Sequence, residues 1–219
     1  MTTSLDKLRK VVRYHLQGAA SVDAQYNVAL DAFNYMEKMT DGKFRADGKT
    51  PEFIHPLSVT ALLMTLQSSL MRPADTFAAA LLHDGAEDLG ISIEYIRDRF
   101  GRGVAHPVMR VSKVIGGVKT LSLPQHFLDM GDCPVATVLK GADRGINQST
   151  MDEPFFPPQK QLRQAAETEQ FILPMLKDAR RAFPAQSAAY ENLKFLLTGQ
   201  IRMIRAHHGS TANASPATS

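Results

Sequence analysis

The chain has 219 residues with 25 Lys and Arg against 22 Asp and Glu, a formal net charge of +3 with histidine neutral. At 44% apolar and 21% charged residues it has an ordinary globular composition, which excludes a disordered chain and a histone-like nucleic-acid binder. The single cysteine, Cys133, permits no intramolecular disulfide, and the longest apolar run, Phe77 to Leu82, has six residues against the roughly 20 of a membrane span. The charged N-terminal stretch carries no secretion-signal pattern. A cytoplasmic protein of one domain is therefore expected, with neither membrane nor nucleic acid as partner; its oligomeric state is not legible.

Apolar residues recur at helical spacing from Leu5, Leu8, Val12 and Leu16 onward, and again at Val22, Tyr26, Leu30, Phe33 and Met36. Pro56 suits the first turn of a third helix through Leu57, Leu62, Leu63 and Leu66, ending before Pro73. A fourth helix is expected from about Asp75 towards Gly90, and others over Ile93 to Phe100 and Val104 to Val111. Residues 112–134 hold Gly116, Gly117, Pro124, Gly131 and Pro134, a density of breakers that predicts a loop with one short helix from Gln125. Helices follow at Val135 to about Thr150, Gln159 to Phe183 and Ala188 to Ile204. No segment shows β alternation, so the fold class is all-α. The domain is expected to span 1–208, and the small, uncharged residues of 209–219 read as a disordered tail.

Three places put polar groups into apolar, helical settings: His55 before Pro56, His83-Asp84 followed by Glu87-Asp88, and Lys140, Asp143 and Asn147 within one helix. His83 and Asp84 follow the apolar run 77–82, and a buried carboxylate needs a compensating charge. A divalent cation supplies one, with His55 and Asp143 as the best further ligands. Two imidazoles and two carboxylates suit Mn²⁺, Fe²⁺ or Zn²⁺ better than a thiolate-preferring metal. Taken singly, each histidine is more often a hydrogen-bonded structural residue, and Asp143 could equally pair with Arg144; the combination carries the argument.

The order His55, His83-Asp84, Asp143 resembles the H…HD…D signature of the HD-domain metal-dependent phosphohydrolases, whose fold is a helical bundle. Residues 83–88, HDGAED, resemble the HDxxED sequence of the hydrolase domain of RelA/SpoT-type proteins. The stretch RADGKTPEFIHP, residues 45–56, is similar to that family's R-x-x-G-x-P-Y-I-x-H-P with one additional residue. Val111-Ser112-Lys113 resembles G-V-S-K, and KGADRGIN, residues 140–147, resembles K-L-A-D-R-x-x-N. The likeness covers roughly residues 25–180, about the size of a hydrolase domain alone, and so implies a stand-alone small alarmone hydrolase.

That resemblance implies removal of the 3′-diphosphate of guanosine tetra- or pentaphosphate, giving GDP or GTP and pyrophosphate, usually with Mn²⁺. It implies that His55, His83, Asp84 and Asp143 hold the ion, and that Glu87 and Asp88 handle the protons of water and leaving oxygen. Arg45, Lys140 and Asn147 are the expected phosphate or ribose contacts, with Lys113 and Lys119 from the loop and Arg163 before Glu167-Thr168 as further basic partners. Arg144 is expected to pair with a carboxylate outside the site. Two departures stand out: Gly141 replaces the K-L-A-D leucine, which should loosen its helix, and Ser149 replaces a common arginine, with Lys160 or Arg163 as substitutes. The alternative is an HD hydrolase acting on an adenosine alarmone, NADPH or a dNTP. A helical nucleic-acid-binding module without chemistry is disfavoured by the intact ligand set and the near-balanced charge.

Overall fold

The computed structural model describes residues 4–45, 47–119, 121–151 and 156–212, with side chains through residue 208. The first amphipathic stretch forms α1, Ser4–Val22. Asp23 then accepts from the Gln25 backbone N–H and caps a short 3₁₀ turn that leads into α2, Asn27–Met39. α3 is Ile54–Met64, with Pro56 in its first turn as expected, and Pro73 opens α4, Pro73–Leu82. The fourth helix is not continuous to Gly90: it breaks at His83-Asp84 and resumes as one turn, α5, Gly85–Asp88. The His83 imidazole bonds the Ala80 carbonyl at 2.8 Å, taking an acceptor that the helix ladder would otherwise use.

α6 (Ile93–Phe100) and α7 (Arg102–Val111) follow. A two-stranded antiparallel hairpin that the alternation test did not find comes next, β1 (Val114–Ile115) paired with β2 (Val118–Lys119). Gly116 and Gly117 both have positive φ, 59° and 80°, the requirement of a tight two-residue hairpin turn, and strands of two residues are too short to show a period. α8 (Leu123–Met130) is the expected short helix, and α9 is Pro134–Ser149. The long helix expected from Gln159 to Phe183 is α10 (Pro158–Glu167), a π-helical turn Thr168–Ile172 and α11 (Leu173–Ala182). Pro174 has no N–H to continue an α ladder there. α12, Ser187–Ala212, runs through 209–212, where the sequence suggests a tail; residues 213–219 lie outside the described residues.

α4 and α9 are the axis of the bundle. Every residue of α4 from Thr76 to Leu82 is buried, as are most of α9, and the two helices pack on each other and on α3 and α7. One continuous core joins them to α1, α2, α11 and α12. Gly141 does not leave its helix loose: a Cβ there would lie 3.1 Å from Leu193 and 3.2 Å from Leu176, so the missing leucine is replaced by leucines of α11 and α12. No helix among the described residues is long and apolar enough to cross a membrane.

Phe77, fully buried against Tyr26 and His15, is the test of this axis. Phe77→Ala is expected to lower stability by about 3–5 kcal/mol. Gly141→Leu should cost about 1–3 kcal/mol through overpacking. Urea unfolding measures both.

Candidate metal centre

Three elements bring the four candidate ligands together. His55 comes from the first turn of α3, His83 and Asp84 from the break between α4 and α5, and Asp143 from the middle of α9. His55 and His83 are each 4% exposed and Asp143 5%, with their imidazole centroids 5.2 Å apart. His55 Nε2 lies 3.2 Å from Asp143 Oδ1 and 3.5 Å from Asp84 Oδ2; His83 Nε2 lies 3.1 Å from Asp84 Oδ1 and 3.6 Å from Asp143 Oδ1. Ligand atoms of His55, His83 and Asp84 all fall within 4.8 Å of one another, close to the ~4 Å that separates two ligands across a transition-metal ion.

The sharpest fit test is the His83 ring. Its Nδ1 donates to the Ala80 carbonyl, which turns Nε2 towards two carboxylates, and that buried atom has no hydrogen-bond partner. A lone pair turned towards anionic oxygens is repulsive until a proton or a cation lies between them. Burial opposes a charge on His83, but Asp84 and Asp143 overcome it and push its pKa up to about 9. The residues present therefore fit a divalent cation, and the centre is a possible His/Asp metal site.

Around it, Lys140 and Asn147 stand three before and four after Asp143, on its helical face. Lys140 Nζ donates to Asp143 Oδ2 at 2.9 Å, and Asn147 Nδ2 donates to Oδ1 at 2.6 Å. Burial works against both charges, yet the pair raises the Lys140 pKa and holds the Asp143 carboxyl well below its ordinary range. Arg144 points away, to Glu167 and Gln164. Glu87 and Asp88 sit exposed on α5 beside the ligands. Glu87 Oε1 accepts the backbone N–H of Lys113 and, at 3.3 Å, that of Val114. Asp88 is pushed up to about 6, first by burial and then by Asp84, Glu87 and Glu52.

The remaining basic candidates are spread more widely. Arg45 stands in the loop ahead of α3 with Nη1 3.7 Å from Glu52. Glu52, Asp88, Lys43 and Phe44 line a cleft of ≈ 340 Å³. Lys113 reaches Glu167 at 3.4 Å. Lys119 lies on β2, and Lys160 covers the Phe156 ring at 4.2 Å. Arg163 is exposed on α10 and makes none of the described contacts with the four ligands. Ser149 is tied to the Gly145 carbonyl and to Gln200.

Sequence reasoning passed over three groups. Glu52 carries no signal beyond its place in the 45–56 stretch, and Glu167 was noted only as a neighbour of Arg163. His126, in the breaker-rich stretch 112–134, is buried on α8 at 3% exposure, with one nitrogen on the Val111 backbone and Nε2 without a partner. Its signal was the apolar pair Phe127 and Met130 on the same short helix. Burial, then the nearby Lys140 and Lys113 charges, push the His126 pKa down to about 4.

Comparison with known proteins agrees with this geometry. A family model described as HD domain matches residues 32–122, a segment that contains His55, His83 and Asp84. The chain is 34% identical over 157 residues to a "Probable GTP pyrophosphokinase" of Mycobacterium leprae, covering 69% of this chain and 19% of that protein. It is 30% identical over 175 residues to a guanosine-3′,5′-bis(diphosphate) 3′-pyrophosphohydrolase of Aquifex aeolicus, covering 78% and 23%. A third relative, from Synechocystis and named a probable enzyme of that same activity, is 32% identical over 178 residues, covering 78% and 22%. The chain thus spans about a fifth of the length of these curated relatives. It carries an HD domain, the helical fold of a metal-dependent family. That HD domain is of the RelA/SpoT type.

His126 gives this region a pH signature. Its folded pKa near 4 lies below the ordinary 6.5, so its contribution to stability is complete above pH 6.5 and is lost as pH falls towards 4. Between pH 7.5 and 5 His126 withdraws about 2 kcal/mol, against the opposite trend of His83 and Asp88, so over this range the wild type should lose about that much stability relative to His126→Gln in urea unfolding.

Proposed function

We propose that this HD domain hydrolyses the 3′-diphosphate of guanosine tetra- or pentaphosphate, releasing GDP or GTP and pyrophosphate. The observation that carries the reading is the buried His83 Nε2, partnerless and facing two carboxylates, in a chain whose relatives include proteins named for this hydrolysis. Other relatives are named for pyrophosphokinase activity, but the His and Asp set here suits metal-assisted hydrolysis. His55, His83, Asp84 and Asp143 would hold the ion, with Mn²⁺ first and Fe²⁺ or Zn²⁺ as alternatives for a mixed nitrogen and oxygen set. When bound, it supplies Lewis acidity at the phosphate and lowers the pKa of water.

The chain's own groups account for the rest. Glu87 takes a proton from the attacking water as its oxygen adds to the 3′-linked phosphorus. Asp88, whose pKa is raised to about 6, is the group that delivers a proton to the ribose 3′ oxygen as the P–O bond breaks. Lys140, already within the site, and Lys113 and Arg45 at its margins supply positive charge to a polyanionic ligand; Asn147 orients Asp143 and contacts the ribose, and Arg163 is the most remote of the proposed contacts. A nucleotide substrate and a single buried free thiol at Cys133 suit the cytoplasm.

Two measurements test this. Purified Asp84→Ala and Asp143→Ala are expected to lose stoichiometric metal, whereas Glu87→Gln and Asp88→Asn keep it while kcat falls by about 10²-fold or more. Wild-type rates in Glu87→Gln would remove it from the proton path. Incubation with Mn²⁺ and a panel of guanosine and adenosine alarmones, NADPH and dNTPs should show the guanosine alarmones turned over fastest, with pyrophosphate as product. Unchanged guanosine alarmones beside turnover of another member would transfer the site to that substrate.

A further inference from the structure

Gly199 stands in the interior of α12, where glycine weakens a helix by about 1 kcal/mol relative to alanine. Gly141 and Gly145 have a local reason for lacking a side chain, since leucines crowd the place of their Cβ; at Gly199 nothing lies within 4 Å of that place. One turn away, Phe195 is 85% exposed and Met203 73%. Phe195 and Gly199 form the ridge between two open grooves of ≈ 390 and ≈ 440 Å³, the second floored by Leu62, Leu66 and Leu196. A large apolar knob and an empty hole thus lie side by side on a surface that the described residues leave uncovered.

We propose that α12 is a homodimer interface, in which a second copy packs antiparallel with the Phe195 of each copy seated over the Gly199 of the other. The exposed face steps through Ala188, Asn192, Phe195, Gly199, Arg202 and Ala206 at alternating intervals of four and three, the spacing of a helix–helix seam. About a two-fold axis at the level of Leu197, this pattern meets its own complement. Phe195 faces Gly199, Asn192 faces Arg202, and Ala188 faces Ala206, each pair occurring twice, as an isologous contact requires. A parallel pairing would set Phe195 on Phe195 and Arg202 on Arg202. A single helix pair buries less than the ~1,600 Å² of a standard interface, so the dimer is weak and concentration-dependent.

Sedimentation equilibrium of the full chain from about 1 to 200 μM should show the average mass rising from 24.1 kDa towards twice that value. Gly199→Leu should fill the hole, weaken association at least ~10-fold and raise the melting temperature of the monomer, so a loss of dimer cannot be a loss of fold. Register is read by mixing Phe195→Cys and Gly199→Cys copies under mild oxidation, where unlike copies should cross-link faster than like ones. A monomer at every concentration overturns the proposal and leaves this face to another protein. So does a Gly199→Leu variant that dimerises as wild type, and equal cross-linking of like and unlike copies overturns the register.

Discussion

The arrangement of the centre depends on one hydrogen bond, from His83 Nδ1 to the Ala80 carbonyl. It does two things at once. It holds the ring against the last turn of α4, where His83 and Asp84 both keep right-handed helical backbone angles, and it turns Nε2 towards Asp84 and Asp143. Consecutive side chains on an intact helix diverge by ~100°, and an imidazole and a carboxylate at neighbouring positions would then face different neighbours. The break lets His83 and Asp84 converge at 3.1 Å, and α5 resumes at once with its two carboxylates beside them. The resulting surplus of acceptors over donors in a buried place is what makes a cation the natural occupant.

α9 answers this from the other side, and its two faces are built for different tasks. Lys140, Asp143 and Asn147 lie on one face, where the lysine and the amide hold each oxygen of the carboxylate and fix its direction. Gly141 and Gly145 lie towards the back, where the side chains they lack are replaced by Leu176, Leu193 and Leu196. Each glycine weakens the isolated helix by about 1 kcal/mol, and close packing of α11 and α12 offsets that. Arg144, between them, pairs with Glu167 rather than with Asp143.

Much of this was legible in the chain because its physics is local or compositional. The apolar period marks the helices, and the improbability of His83-Asp84 directly after a six-residue apolar run marks the site. What was not legible depends on tertiary context. The break at His83 coincides with a ring bonded to the Ala80 carbonyl, and helical periodicity continues unbroken across it. The hairpin is two residues per strand, below any detectable alternation, and only its Gly-Gly turn is written in the sequence. The burial of His126 and the inward reach of Glu52 depend on α8 and on the loop before α3 folding over the site, which spacing along the chain does not encode.

The polar groups behind the centre form one continuous path, and this bears on how the site works. Glu87 holds the backbone of Lys113 and Val114 at the start of the hairpin, Lys113 reaches Glu167 across the gap to α10, and Glu167 holds Arg144 in α9. The loop that carries a basic group towards the ligand is therefore fastened by the same carboxylate that lies nearest the reacting water in the proposed scheme. Its Oε1 is committed to two backbone donors, which leaves Oε2 to meet that water. A glutamine at this position keeps an acceptor for the hairpin and removes the charge; alanine removes both. In the proposed scheme the position of the loop and the base thus rest on one side chain, Glu87.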